Sequence, residues 1–211
     1  MYTGIITGCF TLKEVIARPG LHTFVIELDS AHLKELKIGA SVSVDGVCLT
    51  VTEINDNYAS FDAMQETLNL TTLGALKTGD RVHIERSAKA GSEIGGHPIS
   101  GHVDGKLTVK DIIFPENNCV VTFELPEKLR RYVFNKGFAS IAGCSLTVTN
   151  LDKENGTFQV WLIPETLRVT KFGELKPGNP VNIEIDRQTQ VVVDTVREAV
   201  MDALKGMNLK G

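Results

Sequence analysis

Polar and apolar residues alternate along Ala40-Ser41-Val42-Ser43-Val44, and the alternation continues in Leu49-Thr50-Val51-Thr52. A further run, Tyr58-Ala59-Ser60-Phe61-Asp62-Ala63, follows the turn Asn55-Asp56-Asn57, and Val82-His83-Ile84-Glu85 ends the series. A period of two sends successive side chains to opposite faces of a strand. Short strands separated by turn residues at this spacing predict a sandwich or a barrel, hence an all-β class. Ala31-His32-Leu33-Lys34-Glu35-Leu36 departs from the alternation and predicts a short helix, with His32 a solvated residue on it. A second helical turn is expected near Leu70-Thr71-Thr72-Leu73. With few residues in the unit, closing the sheet on itself is the natural way to remove exposed edges.

The same pattern returns. Gly46-Val47-Cys48-Leu49-Thr50-Val51-Thr52 reappears as Gly143-Cys144-Ser145-Leu146-Thr147-Val148-Thr149, and Glu66-Thr67-Leu68 as Glu165-Thr166-Leu167. Leu73-Gly74-Ala75-Leu76-Lys77-Thr78-Gly79-Asp80 has its partner in Phe172-Gly173-Glu174-Leu175-Lys176-Pro177-Gly178-Asn179, and Val82-His83-Ile84-Glu85 in Val181-Asn182-Ile183-Glu184. These matches keep their order at an offset of about a hundred residues, far beyond solenoid periods, so the chain is a duplicated domain. We divide it into residues 1–96, 97–187 and 188–211. The join runs through the small, polar stretch Ala88 to Gly96. After Asp186 the period changes to a helical one, with Val192, Val196, Ala199, Val200, Ala203 and Leu204 on one face. Such a narrow seam either packs against copies of itself or covers its own barrel, and the pattern leaves both open.

Composition narrows the class of function. The chain has 211 residues, 42% hydrophobic and 23% charged, with a net charge of -4. An acidic balance argues against general nucleic-acid or acidic-membrane binding. No apolar run approaches the roughly 20 residues that span a bilayer. The start, Met1-Tyr2-Thr3-Gly4-Ile5-Ile6, lacks a basic flank and a cleavage signal, so a mature, cytoplasmic protein is expected. Cys9, Cys48, Cys119 and Cys144 show neither CxxC nor metal-ligand spacing, so reduced thiols are expected and no metal.

The richest chemistry lies in Gly95-Gly96-His97-Pro98-Ile99-Ser100-Gly101-His102-Val103-Asp104-Gly105. Its glycines permit positive φ or close approach to a ligand. For His97 the expected role is to satisfy backbone groups where the second barrel begins; for His102 it is function. Superposing the copies pairs Gly4 with Gly101, Ile5 with His102, and Cys48 with Ser145. Shared residues suggest a like ligand in each copy, and the differing ones suggest different tasks. Cys48 reads equally as a small buried hydrophobe or as a nucleophile. Repetition of Glu-Thr after a strand favours reading of an amide edge. No Walker loop, dinucleotide fingerprint or serine-hydrolase elbow is present.

Met1-Tyr2-Thr3-Gly4-Ile5, Asp45 to Val51, Gly95 to His97 with Gly101 to Gly105, and Ile163-Pro164-Glu165-Thr166-Leu167 together resemble the riboflavin synthase family of alpha-chain type. The resemblance covers nearly the whole chain. It implies two tandem six-stranded Greek-key barrels plus a C-terminal α-helix, assembled as a homotrimer held partly by that helix. It also implies a transferase that dismutates two 6,7-dimethyl-8-ribityllumazine molecules to riboflavin and 5-amino-6-ribitylamino-uracil. No cofactor is implied, because the lumazine C7 methyl is itself acidic. Each barrel would hold one lumazine, with the reacting pair meeting between subunits. Association with lumazine synthase is a further partner the family raises.

Carried over residue by residue, Gly4, Ile5, Ile6, Cys48, Leu49, Thr50, Asp62, Ala63, Met64, Gln65, Glu66 and Thr67 fall to the first lumazine. Gly101, His102, Val103, Lys136, Ser145, Leu146, Thr147, Trp161, Leu162, Ile163, Pro164, Glu165 and Thr166 fall to the second. Ser41, Cys48 and His102 are the expected groups for proton handling and nucleophilic addition, and Asp186 the group that positions the other lumazine. Two residues depart from the family pattern. Tyr2 stands where Phe is usual, and Ala142 where the first copy has Asp45, which puts a supporting hydrogen bond near Ser145 in doubt. The rival readings are a non-catalytic lumazine or flavin antenna protein, which tends to lose pocket residues in its second barrel, and a flavin reductase, which usually carries an added nicotinamide domain.

Overall fold

The computed structural model describes residues 1–208, so positions 209–211 of the expected terminal helix lie outside the described residues. The first copy runs β1 (Gly8–Arg18), β2 (Leu21–Glu27), α1 (Ser30–Leu33), β3 (Ser41–Val44), β4 (Val47–Asn55), β5 (Tyr58–Met64), α2 (Gln65–Leu70) and β6 (Arg81–Arg86). The second runs β7 (Gly105–Ile113), β8 (Cys119–Glu124), β9 (Phe138–Ile141), β10 (Cys144–Thr147), β11 (Thr149–Asp152), β12 (Thr157–Leu162), α3 (Pro164–Val169) and β13 (Pro180–Ile185). The helix α4 (Arg187–Asn208) follows.

Strands of the first copy close into a barrel in the order β1-β2-β5-β4-β3-β6, with β1 returning to β6 through Gly8↔Ile84 to Thr11↔Arg81. The second sheet has the order β10-β9-β13-β7-β8-β12-β11. Its outer members β10 and β11 are halves of one strand interrupted at Val148. The curled sheet therefore has the same cyclic order as the first barrel, with its seam at that interruption. Strands β1 and β2 escape the alternation read from sequence for a physical reason. A bulge between Leu12 and Glu14 shifts the register, and within β1 only Leu12 is buried. His32 is not solvated as the short helix suggested. Its ring bonds Asp29 and Thr7 at 2.7 and 2.9 Å and packs edge-on against Phe10.

Each barrel has its own core, one centred on Phe24, Phe61 and Ile84, the other on Phe123, Phe158 and Ile183. Two residues cross between them. Ile6 belongs to the core of the second barrel, and Val103 to the core of the first. The segments leading into the two barrels are thus exchanged, and their crossing is pinned by the antiparallel bridge of Tyr2 to Ile99.

The β3–β4 and β9–β10 hairpins turn through Asp45-Gly46 and Ala142-Gly143, all four residues at positive φ (48° and 85°, 47° and 85°). That is the two-residue turn matched to strand twist. The turns abut: a Cβ on Gly46 would lie 2.5 Å from the Gly143 nitrogen. Around them the copies bond with near two-fold symmetry. His83 Nδ1 donates to the Ala142 carbonyl (3.0 Å) and its Nε2 accepts the Lys171 N–H (2.9 Å). In the equivalent place Asn182 Nδ2 donates to the Asp45 carbonyl (2.8 Å) and its Oδ1 accepts the Thr72 N–H (2.7 Å). An imidazole and a carboxamide thereby perform one task.

Helix α4 packs Val193 on the second barrel and receives the Tyr132 hydroxyl on Asp194 (2.7 Å). The apolar seam read from the sequence, to which Val193 does not belong, is bare, with Val192, Val196, Val200 and Leu204 each more than half exposed. No described helix is long and apolar enough to cross a membrane.

Candidate active site

Segment exchange is enforced by two buried carboxylates. Glu85 accepts the N–H and hydroxyl of Thr3 (2.6 and 2.7 Å) and the N–H of Gly4 (3.1 Å). Glu184 accepts the N–H and hydroxyl of Ser100 (2.8 and 2.6 Å) and the N–H of Gly101 (2.9 Å). Burial pushes the Glu85 carboxyl up, and the hydrogen bonds from Thr3 and Gly4 oppose it. Each carboxylate turns its glycine toward the opposite barrel. The Gly4 carbonyl accepts from Ser145 N, and the Gly101 carbonyl from Cys48 N, both at 2.9 Å. Only glycine fits at either point. Both have φ near +80° (79° and 83°), and a Cβ would stand 2.5 Å from that of Ser145 or Cys48.

This geometry regroups the expected site residues. The family carry-over grouped Gly4 to Ile6 with Cys48, and Gly101 to Val103 with Ser145. In the structure Gly101, and with it the exposed His102, lies against Cys48; Gly4, and with it Ile5, lies against Ser145. The reason is the crossing of Ile6 and Val103 into opposite cores.

At the end of the first barrel, Cys48 is half-buried, Leu49 buried and Thr50 exposed. Ser41 pairs with Thr50 across β3 and β4. Asp62 accepts the Thr23 hydroxyl (2.6 Å), Ala63 points inward, and Met64 is 61% exposed. Gln65 and the exposed Glu66 open α2, and the Thr67 carbonyl is taken by Thr71. The second barrel repeats this arrangement: half-buried Ser145, buried Leu146, exposed Thr147. Leu162 points inward between Trp161 and Ile163, which are 50% and 57% exposed. Pro164 starts α3, Glu165 pairs with Arg168 (2.6 Å), and the Thr166 carbonyl is taken by Thr170. Lys136 has φ +67° where the first copy has Gly39 at +87°, so a side chain is held in a strained backbone at the edge of this site. Ile5, Met64, Phe138, Trp161 and Ile163 together leave the two barrel ends apolar and open, the kind of exposed surface that marks an interaction site.

Two contacts lay beyond the sequence. The Tyr2 hydroxyl donates to Cys48 Sγ (3.1 Å), and burial with that bond raises the phenol well above its ordinary range. His97, expected to satisfy backbone groups, instead meets the Ser145 hydroxyl at 2.5 Å with its ring buried. The doubt raised by Ala142 resolves elsewhere than expected. Asp45 spends its carboxylate on His83 N (2.9 Å) and Lys171 Nζ (2.6 Å) between the barrels, and Ser145 keeps both its bonds.

His102 projects into solvent while its carbonyl is gripped by Arg187, which also pairs with Asp104 (2.9 Å). Asp186 caps α4, accepting the N–H (2.8 Å) and hydroxyl (2.6 Å) of Thr189. Burial raises its pKa, but the Thr189 bonds outweigh that and hold the carboxyl below its usual range. A cavity of about 450 Å³ between the barrels is lined by Asp45, His83, Lys171 and Asn182 among others, and by none of the expected site residues.

The lumazine binding domain family matches this chain twice, over residues 3–87 and 100–186. The riboflavin synthase of Escherichia coli K12 is 47% identical across 100% of this chain and 99% of its own length. That of Buchnera aphidicola from Schizaphis graminum is 42% identical over 95% and 96%. A solved structure, LumP complexed with riboflavin, superposes with a TM-score of 0.83 over 89% of this chain and 100% of that one; at 24% identity it shows the shared fold. Two matched repeats and near-complete coverage by such relatives place this chain in the riboflavin synthase family, built on tandem lumazine-binding domains.

Proposed function

We propose that the chain is a riboflavin synthase that binds one 6,7-dimethyl-8-ribityllumazine at the open end of each barrel and transfers a four-carbon unit between them. One observation carries this reading: both barrels present the same half-buried, buried, exposed series, Cys48-Leu49-Thr50 and Ser145-Leu146-Thr147, each facing an exchanged glycine. Two ends of like shape suit two copies of one ligand, and the family relationship supplies the ligand.

Residues 1–96 and 97–187 are taken as the two lumazine-binding units and 188–211 as a trimerisation helix. The ring's amide edge would be read by backbone and side chains of Asp62 to Thr67 in one site and Trp161 to Thr166 in the other. Thr50 and Thr147 offer hydroxyls, and Met64 and Ile163 offer apolar cover. Removal of a C7 methyl proton from one lumazine, and addition of a nucleophile to the other, are the steps that need protein groups. Cys48, Ser41 and the adjacent His102 serve at the first barrel. Asp186, beside the His102 segment at the head of α4, positions a lumazine. The reaction draws on no cofactor in this reading.

Both ends are open in the single chain, and catalysis by proximity requires the two rings face to face with water excluded. A homotrimer in which the end of one barrel meets that of a neighbour would supply this, with the bare seam of α4 as the holding contact. A soluble cytoplasmic enzyme, alone or with lumazine synthase, completes the proposal. The test is to mix purified protein with the dimethyl lumazine and follow absorbance. Riboflavin formed without added cofactor supports a synthase. Stable lumazine fluorescence without turnover indicates a binding protein and overturns it.

A further inference from the structure

Positions 48 and 145 are equivalent in the two barrels yet carry different groups with different partners. Cys48 Sγ receives a phenol, from Tyr2. Ser145 Oγ meets an imidazole, His97 Nδ1, at 2.5 Å. His97 is 6% exposed and lies nearly parallel to Phe138, with 5.3 Å between ring centroids and 17° between planes. Gly96 makes the seat: a Cβ there would stand 2.5 Å from Ser145 Cβ and 2.9 Å from Oγ. Ring and hydroxyl are therefore held together by stacking on one side and by a glycine approach on the other.

We propose that His97 is a positioning and proton-relay residue for the second site, acting through the Ser145 hydroxyl. The inference rests on the reading that Ser145 faces a bound lumazine. The hydroxyl donates to unprotonated Nδ1. When Oγ takes a proton from the bound substrate, it passes its own proton to Nδ1, so the serine ends as a hydroxyl, the ring as imidazolium and the substrate as its carbanion. The return of that proton to the product side restores the pair. Burial lowers the His97 pKa, which keeps the ring neutral and able to accept near pH 7, while the Asp186 carboxylate opposes that shift and stabilises the charged ring once formed. Phe138 of β9 and Ser145 of β10, which pack on the ring, carry no charge.

A double-mutant cycle with His97→Ala and Ser145→Ala tests this, read as kcat and KM for lumazine turnover alongside lumazine binding. Because an intact general-base relay contributes about a hundredfold or more, His97→Ala should lower kcat by about that factor with KM little changed. The double variant should be no slower than the slower single one. Multiplying effects in the double variant, or an unchanged kcat in His97→Ala, overturn the proposal. His97→Asn keeps an acceptor near the Nδ1 position without a titratable ring. It should bind lumazine and stay slow, and full activity in it overturns the relay. Should His97→Ala fail to fold, His97→Asn carries the same decision. Wild-type protein that forms no riboflavin overturns the functional reading and the relay with it, whereas active wild type beside unaffected variants overturns the relay alone.

Discussion

At the scale of single residues, the differences between the copies say more than the identities. Leu49 and Leu146, or Thr50 and Thr147, build the same shape twice, while Cys48 with Tyr2 and Ser145 with His97 equip the ends differently. His102 stands exposed beside the Cys48 segment where Ile5 stands beside Ser145. Cys48→Ser and His102→Gln should therefore slow turnover by about tenfold or more while leaving lumazine affinity nearly unchanged, since each removes a group proposed for proton handling or addition. Steady-state rates beside fluorescence titrations check this, and unchanged rates remove both groups from the mechanism. The pairings 48 with 145 and 5 with 102 were legible by superposing the repeats. Which barrel each segment touches was not, because alignment matches positions and is blind to the exchange of Ile6 and Val103 between cores.

Among the elements, the paired hairpin turns decide how the barrels sit against each other. His83 and Asn182 make equivalent bonds there, yet nothing in Val82-His83-Ile84-Glu85 and Val181-Asn182-Ile183-Glu184 marks them as mimics. That needed the carbonyl of one turn and the N–H of Lys171 or Thr72 in view. His83→Asn should be tolerated, while His83→Ala leaves the Ala142 carbonyl and Lys171 N–H unpartnered and should cost about 2–4 kcal/mol. Urea unfolding separates the two, and equal losses would deny the equivalence. The pH dependence has a definite sign. Burial, opposed in part by Asp45, holds the His83 pKa below its ordinary 6.5. Above that value the ring is neutral folded and unfolded, and no pH dependence arises from it. As pH falls below it the unfolded chain takes up a proton that the folded one refuses, so stability declines until the folded ring itself titrates. His97 is lowered in the same direction, so His83→Asn should flatten the decline in part.

For the molecule as a whole, the duplicated all-β architecture and the terminal helix were readable from order-preserving repeats and a change of period. Strands β1 and β2 were not, since a bulge and a single buried residue in β1 erase its alternation. The helix seam left two readings open, and the structure leaves that seam uncovered by its own barrel. Val193 covers the second barrel, while Val192, Val196, Val200 and Leu204 remain bare. A chain ending after Asp186 should consequently sediment as a monomer and lose turnover while both barrels still bind lumazine. A trimer persisting in that chain would refute the role given to α4.

The proposed reaction turns on two identical molecules meeting and leaving as two different ones. Its most direct test is the mass balance of the reaction, with the lumazine consumed and both products quantified after incubation with the purified chain alone. One riboflavin and one 5-amino-6-ribitylamino-uracil for every two lumazines is the expected result. Lumazine recovered intact, or riboflavin formed only when a second reactant is supplied, would contradict it.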